Sequence, residues 1–216
     1  MSANHGHAFA GPLGYAAGAI VMFLPSFDIA AVTMLAMLLF IAALSGGGVE
    51  NVLPRASLLL FGLLYVFGSW RCAMGLHSIH PHWLFFALTV SWIGDSAAYL
   101  AGSLAGRHKL APRISPGKTW EGAAASLLAS VLFGGIYLGY FLPVVPRWEA
   151  LALAAAANVA GQFGDLCESA VKRGAGLKDS GAMLPGHGGW LDRVDSTLFA
   201  LPLLYFWLTR FPPPPL

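Results

Sequence analysis

Long apolar runs limit what this chain can fold into more than any other feature. Seven of them cover about 9–25, 28–45, 56–76, 82–103, 119–142, 148–172 and 191–211. A helix needs about 20 apolar residues to cross a bilayer, so each run is near the length of a span, the first two being short or crowded. The separators are helix breakers. Pro25, Ser26 and Asp28 divide the first pair, and Gly46-Gly47-Gly48 with Pro54 divides the second from the third. Pro143, Pro146 and Arg147 divide the fifth from the sixth. The prolines after Phe211 favour polyproline II over helix. Mean hydropathy is +0.68. The expected fold class is therefore all-α: a polytopic integral membrane helical bundle of about seven transmembrane helices. Residues 1–8 carry no Lys or Arg, and the first run outlasts a signal-peptide core, so it reads as a retained helix.

Charge is scarce, at 10% of residues, and it is gathered. Two polar islands, 94–122 and 165–196, hold 15 of the 22 Asp, Glu, Lys and Arg side chains. Charge at membrane depth is costly and marks function by default. A net charge of +2 gives no bulk attraction to nucleic acid, and none is expected as a partner. Cys72 and Cys167 suggest no disulfide framework, and Cys167 beside Asp165 reads as inert packing.

The positive charges set an orientation. Arg107, Lys109, Arg113 and Lys118 follow the fourth run, and Lys172, Arg173 and Lys178 follow the sixth. Loops rich in Lys and Arg face the cytoplasm, and two crossings separate these loops, so the two assignments agree. The amino terminus is then cytoplasmic and the carboxyl terminus is not. Arg71, near the outer end of the third run, is the exception. The whole of 1–216 reads as a single membrane domain, with N-terminal helices in 1–80 and the polar helices and cytoplasmic loops in 81–216.

Within the runs, polar residues form stripes. Asn158, Gln162, Asp165, Ser169 and Lys172 are spaced 4, 3, 4 and 3, which places them on one helix face with Glu168 beside it. Ser91, Asp95, Tyr99 and Ser103 repeat the pattern at i+4, and Asp192, Asp195 and Ser196 share a face. Such stripes must meet a partner helix or a wet cavity. Helix–helix glue is an equal reading for Asn158, Gln162 and Ser91. It does not suit four acids near one depth, Asp95, Asp165, Asp192 and Asp195, which would repel unless neutralised. Hard carboxylate oxygens suit Mg²⁺, expected on Asp165, Asp192 and Asp195, with Asp95 as an alternative partner for a loop cation.

The loops carry phosphate-binding parts. Ser115-Pro116-Gly117-Lys118-Thr119 leads into Glu121 and combines a turn, hydroxyls and a lysine at a helix start, without P-loop spacing. Gly186-His187-Gly188-Gly189 allows close backbone approach to a ligand. His77, His80 and His82 lie on the predicted outer side, away from the other polar clusters and without ligand spacing, so they read as structural.

Ser169, Lys172-Arg173, Lys178-Asp179, His187-Gly188-Gly189 and Asp192-Arg193-Val194-Asp195 together resemble the signature of the phosphatidate cytidylyltransferases (CDP-diacylglycerol synthases). The upstream residues Gly94-Asp95, Ala98-Tyr99, Gly106, His108-Lys109-Leu110 and 115–122 are similar to the same family. Members of that family are usually longer, with more N-terminal helices. The resemblance implies that CTP and phosphatidic acid give CDP-diacylglycerol and pyrophosphate, with Mg²⁺ and room for a second cation. It implies catalytic roles for Asp165, Lys172, Arg173, Lys178, His187, Asp192, Arg193 and Asp195. Substrate contacts are implied for Asp95, Tyr99, Lys109, Ser115, Lys118, Glu121, Ser169, Asp179, Gly188 and Gly189. It also implies an inner-membrane enzyme facing the cytoplasm, in contact with membrane lipids, and a homodimer. The alternatives are a CTP-dependent lipid kinase of the polyprenol type and an ion-coupled transporter. The unbroken signature weighs against the first, and the lack of inverted repeats against the second.

Overall fold

Breakers and caps fix where the helices of the computed structural model begin and end. It describes residues 12–23, 29–44, 49–181 and 189–212. The helices are α1 (Pro12–Phe23), α2 (Ile29–Ala43), α3 (Val52–Leu63), α4 (Ser69–Ile79), α5 (Pro81–Ala105), α6 (Trp120–Phe141), α7 (Arg147–Gly174) and α8 (Asp195–Arg210). A π-helical turn, Leu64–Gly68, joins α3 to α4 in one rod. Seven rods thus stand on the seven apolar runs. Four of them, Val52–Ile79, α5, α6 and α7, are long and apolar enough to cross a membrane. The α1 and α2 helices are shorter, and α8 has 16 residues. Against the expected count of about seven spans, four of full length stand among the described residues. This is an integral membrane protein built as a helical bundle.

The chain divides into two compact units, at Arg71 and Cys72. In the first, Ala17, Val21, Leu35, Leu39, Leu59 and Leu63 form a buried apolar cluster. Arg71, the exception to the charge bias, has a local partner there. Its guanidinium donates to the carbonyls of Val21 and Met22 at 3.1 and 2.9 Å. Those carbonyls end α1, where unsatisfied acceptors and the helix dipole favour a cation.

The second unit is organised by α5, α6, α7 and α8, each packed on its sequence neighbour, with α5 also meeting α7 and α8. The α6 helix shows why it belongs in lipid. Gly122, Ser126, Ser130, Gly134 and Leu138, four residues apart, are buried. Leu128, Leu132 and Ile136 on the opposite face are largely exposed. Small residues inside and large apolar ones outside let helix backbones approach without a hydrophobic drive between them. The polar stripes meet here. Asn158 donates to Ser126 and Ser130 at 2.8 and 2.9 Å, and Gln162 donates to Asn158 Oδ1 at 2.7 Å. A Cβ on Gly94 would collide with the side chains of Asn158, Ser126 and Ser130. The glue reading thus holds for Asn158. Ser91 instead donates to Ala87 O on its own helix.

At the other end, His80 caps α5 by accepting from His82 N. His82 meets the Tyr137 hydroxyl at 2.9 Å and stacks on Phe141. Both rings thus have partners within the protein. The one sheet among the described residues is an antiparallel hairpin, β1 (Lys109–Ala111) and β2 (Ser115–Thr119), between α5 and α6.

Candidate active site

The hairpin positions the first half of the site. Ser115-Pro116-Gly117-Lys118-Thr119 is the strand β2, running straight into α6. Thr119 closes the junction, accepting at 3.1 Å from Gly122 N as the helix N-cap. Glu121, in the first turn of α6, accepts from His108 N and meets its ring at 2.6 Å, so it braces the hairpin base. Lys118 points at α7, where its Nζ lies 2.5 Å from Asp165 Oδ2. Ser169, one turn on, donates to the other oxygen of Asp165 at 3.4 Å. Asp95 on α5 accepts from Ser196 Oγ of α8 at 2.9 Å.

Between these elements lies a cavity of about 400 Å³. Its walls include Asp95, Tyr99, Ser115, Lys118, Gln162 and Asp165, with apolar or glycine positions such as Ala98, Leu110 and Gly122. Five residues expected at the site are thus gathered, Gln162 joins them, and Lys109 and Glu121 stand outside the lining.

The second half lies where α7 ends and α8 begins. Lys172 Nζ is 2.5 Å from Glu168 and 2.6 Å from Asp192 Oδ1. Asp192 also accepts from Ser180 N at 2.9 Å, Ser180 Oγ at 2.8 Å and Gly189 N at 2.7 Å. It sits in the 3₁₀ turn Leu191–Arg193, ahead of α8. Partial burial alone would raise its pKa. Lys172 and the donors of Gly189 and Ser180 outweigh that and hold it well below the ordinary carboxylate range. Arg173, Lys178, Asp179 and Arg193 are exposed around this cluster. Arg173 Nε reaches Ile114 O at 3.5 Å, toward the hairpin turn. His187 and Gly188 lie outside the described residues.

Asp195 links the halves, within electrostatic reach of Asp165, Glu168 and Asp95. The donor chemistry around it, carboxylate oxygen without thiolate or imidazole, fits a hard divalent cation. Buried Glu168, beside Asp195, adds to that acceptor-rich surface. No three His, Cys, Asp or Glu side chains among the described residues are drawn into a ligand set. Asp192 fits worst, since donors already occupy both its oxygens.

Sequence reasoning passed over Glu168 and Ser180 as site residues. Glu168 had a usable signal: it precedes Lys172 by four residues, the spacing of a helix ion pair. Ser180 had none, because its role depends on how the loop folds back.

The profile of the cytidylyltransferase family matches residues 7–211. The phosphatidate cytidylyltransferase of Staphylococcus saprophyticus is 41% identical over 155 residues, 72% of this chain and 60% of that protein. The phosphatidate cytidylyltransferase of Bacillus subtilis strain 168 is 45% identical over 129 residues, 60% of this chain and 48% of that protein. The chain thus spans between about half and three-fifths of the length of these curated relatives. With the profile running from before α1 to the end of α8, the chain belongs to the cytidylyltransferase family.

Proposed function

We propose that this protein transfers the cytidylyl group of CTP to phosphatidic acid, giving CDP-diacylglycerol and pyrophosphate. The observation that carries the reading is the pairing of a mostly apolar cavity among membrane helices with a cation-rich loop at the same end of the bundle. The relatives named above carry that activity in their names. A lipid phosphate needs the first feature and a triphosphate the second.

A phosphate oxygen of phosphatidic acid attacks the α-phosphorus of CTP. The bond from that phosphorus to the α,β-bridging oxygen breaks, and pyrophosphate leaves with the electron pair. The nucleophile is already ionised, so no general base is required. Catalysis is positioning and charge stabilisation. Lys118 and Ser115, in the cavity wall, hold the lipid phosphate or the adjacent nucleotide phosphate. Arg173, Lys178 and Arg193 take up charge on the departing pyrophosphate, and His187 belongs with them. Mg²⁺, when bound, would neutralise phosphate charge and polarise the α-phosphorus, with Asp165 and Asp195 as ligands and Asp192 nearby. Lys172 holds the loop that carries Lys178.

We place the protein in the inner membrane with the site facing the cytoplasm, supported by the seven basic residues of 107–118 and 172–178. Single cysteines at Gly117 and Gly181 test this, because a Cβ at either meets nothing closer than 3.8 Å. In a background lacking Cys72 and Cys167, only reagents that enter intact cells should block them. Labelling of both from outside would reverse the orientation.

The activity is tested with purified protein in detergent, phosphatidic acid, Mg²⁺ and CTP labelled in the cytosine or the γ-phosphate. Cytosine label should enter the lipid phase while γ-label leaves as pyrophosphate. Entry of γ-label into lipid, with release of CDP, would make the protein a lipid kinase.

A further inference from the structure

Glu168 is 3% exposed, belongs to no motif that carried the functional reading, and contacts the lysine at the centre of the loop cluster. From these contacts we infer that Glu168 is a positioning residue: it holds Lys172 against Asp192, and Asp192 in turn fastens Ser180 and Gly189 to the end of α7. The inference rests on the cytidylyltransferase reading for its consequence in activity, but not for its geometry.

The chain of contacts is unbroken. Glu168 and Lys172 are one helical turn apart on α7, so their separation is set by the helix itself. A lysine stem is long and loses much rotamer freedom when fixed. Here the side chain is only 16% exposed and its ammonium sits between two carboxylates at 2.5 and 2.6 Å. The second carboxylate, Asp192, spends its remaining acceptor capacity on Ser180 N, Ser180 Oγ and Gly189 N. Ser180 and Gly189 also touch: a Cβ on Gly189 would collide with the Ser180 side chain. Two chain segments nine residues apart are thereby brought together at one acid.

Two acids close on one lysine, with Asp195 beside Glu168. A buried ion cluster is a poor source of stability, and its best-attested use is to specify one geometry. The geometry specified here is that of the loop bearing Lys178. Lys172 is accordingly engaged by protein acids rather than presented to a phosphate.

The test compares wild type with Glu168→Gln, which keeps shape and removes charge, in detergent at a temperature below both unfolding midpoints. Limited trypsin cleavage between Arg173 and Arg193 should accelerate at least about fivefold at an unchanged midpoint. Cytidylyl transfer should fall about tenfold, the size expected when a charge-assisted contact is lost. In a Lys172→Met background, where there is no ammonium to place, the added Glu168→Gln change should cost less than about threefold. Glu168→Asp should restore part of the protection. Unchanged cleavage, or a full tenfold cost in the Lys172→Met background, would overturn the inference. If wild type transfers no cytidylyl group, the functional reading fails, and the cleavage arm still decides the role of Glu168.

Discussion

Asp165 and Asp192 look alike: each is an acid on a polar stripe, and each meets a lysine in the structure. Their surroundings separate them. Asp165 faces a cavity and, among the described residues, holds Lys118 as its one close cation, with a long contact from Ser169. Asp192 faces protein and is filled by an ammonium, two backbone N–H groups and a hydroxyl. A carboxylate held by one flexible lysine can be handed to a ligand when that lysine turns to a phosphate. One held by backbone donors is an anchor, since those donors leave only if the chain moves. The same residue type is therefore open to a ligand at one position and closed in by the chain at the other.

Neutralising both acids breaks the comparison most severely if it is wrong. Asp165→Asn should lower turnover by roughly 100- to 1,000-fold, the scale of losing a principal electrostatic stabiliser. Its trypsin pattern between Arg173 and Arg193 should match wild type. Asp192→Asn should be as inactive, but its loop should be cut faster, because an amide cannot accept from four donors at once. Identical cleavage of the two variants would erase the distinction. Near-normal turnover of Asp165→Asn at saturating Mg²⁺ would remove that residue from the site.

Lys178→Ala gives the next largest effect and tests the loop itself. Lys178 is exposed, in the loop between α7 and α8. A charge-assisted phosphate contact is worth about 1.5–3 kcal/mol, so kcat/KM for CTP should fall roughly 10- to 150-fold. Lys178→Arg should recover part of this if the residue acts as a point charge. A change confined to the KM for phosphatidic acid would give the loop to the lipid and the cavity to the nucleotide.

The long elements were legible because membrane physics writes them plainly. Runs of apolar residues and breakers place the helices, and the 4-3-4-3 stripe on α7 puts Asp165 on the polar face that lines the cavity with Asp95. What was not legible has a common cause: it depends on short-range closure. The hairpin of 109–119 is too brief for a period to show, and Pro116 argues against a strand. Lys172 has a catalytic role by resemblance, and only the fold reveals two acids closing on it. The α8 helix falls short of its apolar run because it starts only at Asp195.

Gly94→Ala probes the bundle beneath the cavity. The added methyl must displace Asn158, Ser126 or Ser130, and overpacking of this kind costs about 1–3 kcal/mol. The unfolding midpoint should drop while the KM values of the remaining folded enzyme hold. A shifted KM for phosphatidic acid at an unchanged midpoint would mean that the Asn158 network shapes the cavity rather than the fold.

Ser180→Ala is the smallest and sharpest change. It deletes one of the four donors to Asp192 among the described residues, the hydroxyl at 2.8 Å, and leaves Ser180 N, Gly189 N and Lys172 in place. In an exposed loop with three donors remaining, one hydroxyl is worth about 0.5–1 kcal/mol. Activity should therefore fall only about two- to fivefold, with faster trypsin cleavage and no selective change in the KM for CTP. The pairing with Asp192 makes a second demand. In an Asp192→Asn background the Ser180 change should cost almost nothing, because the acceptor it serves is already compromised. A loss beyond about fiftyfold would show the hydroxyl touching substrate directly. Asp192 would then belong, like Asp165, to the substrate-facing half of the site, and the division between a carboxylate that yields to a ligand and one that anchors a loop would collapse.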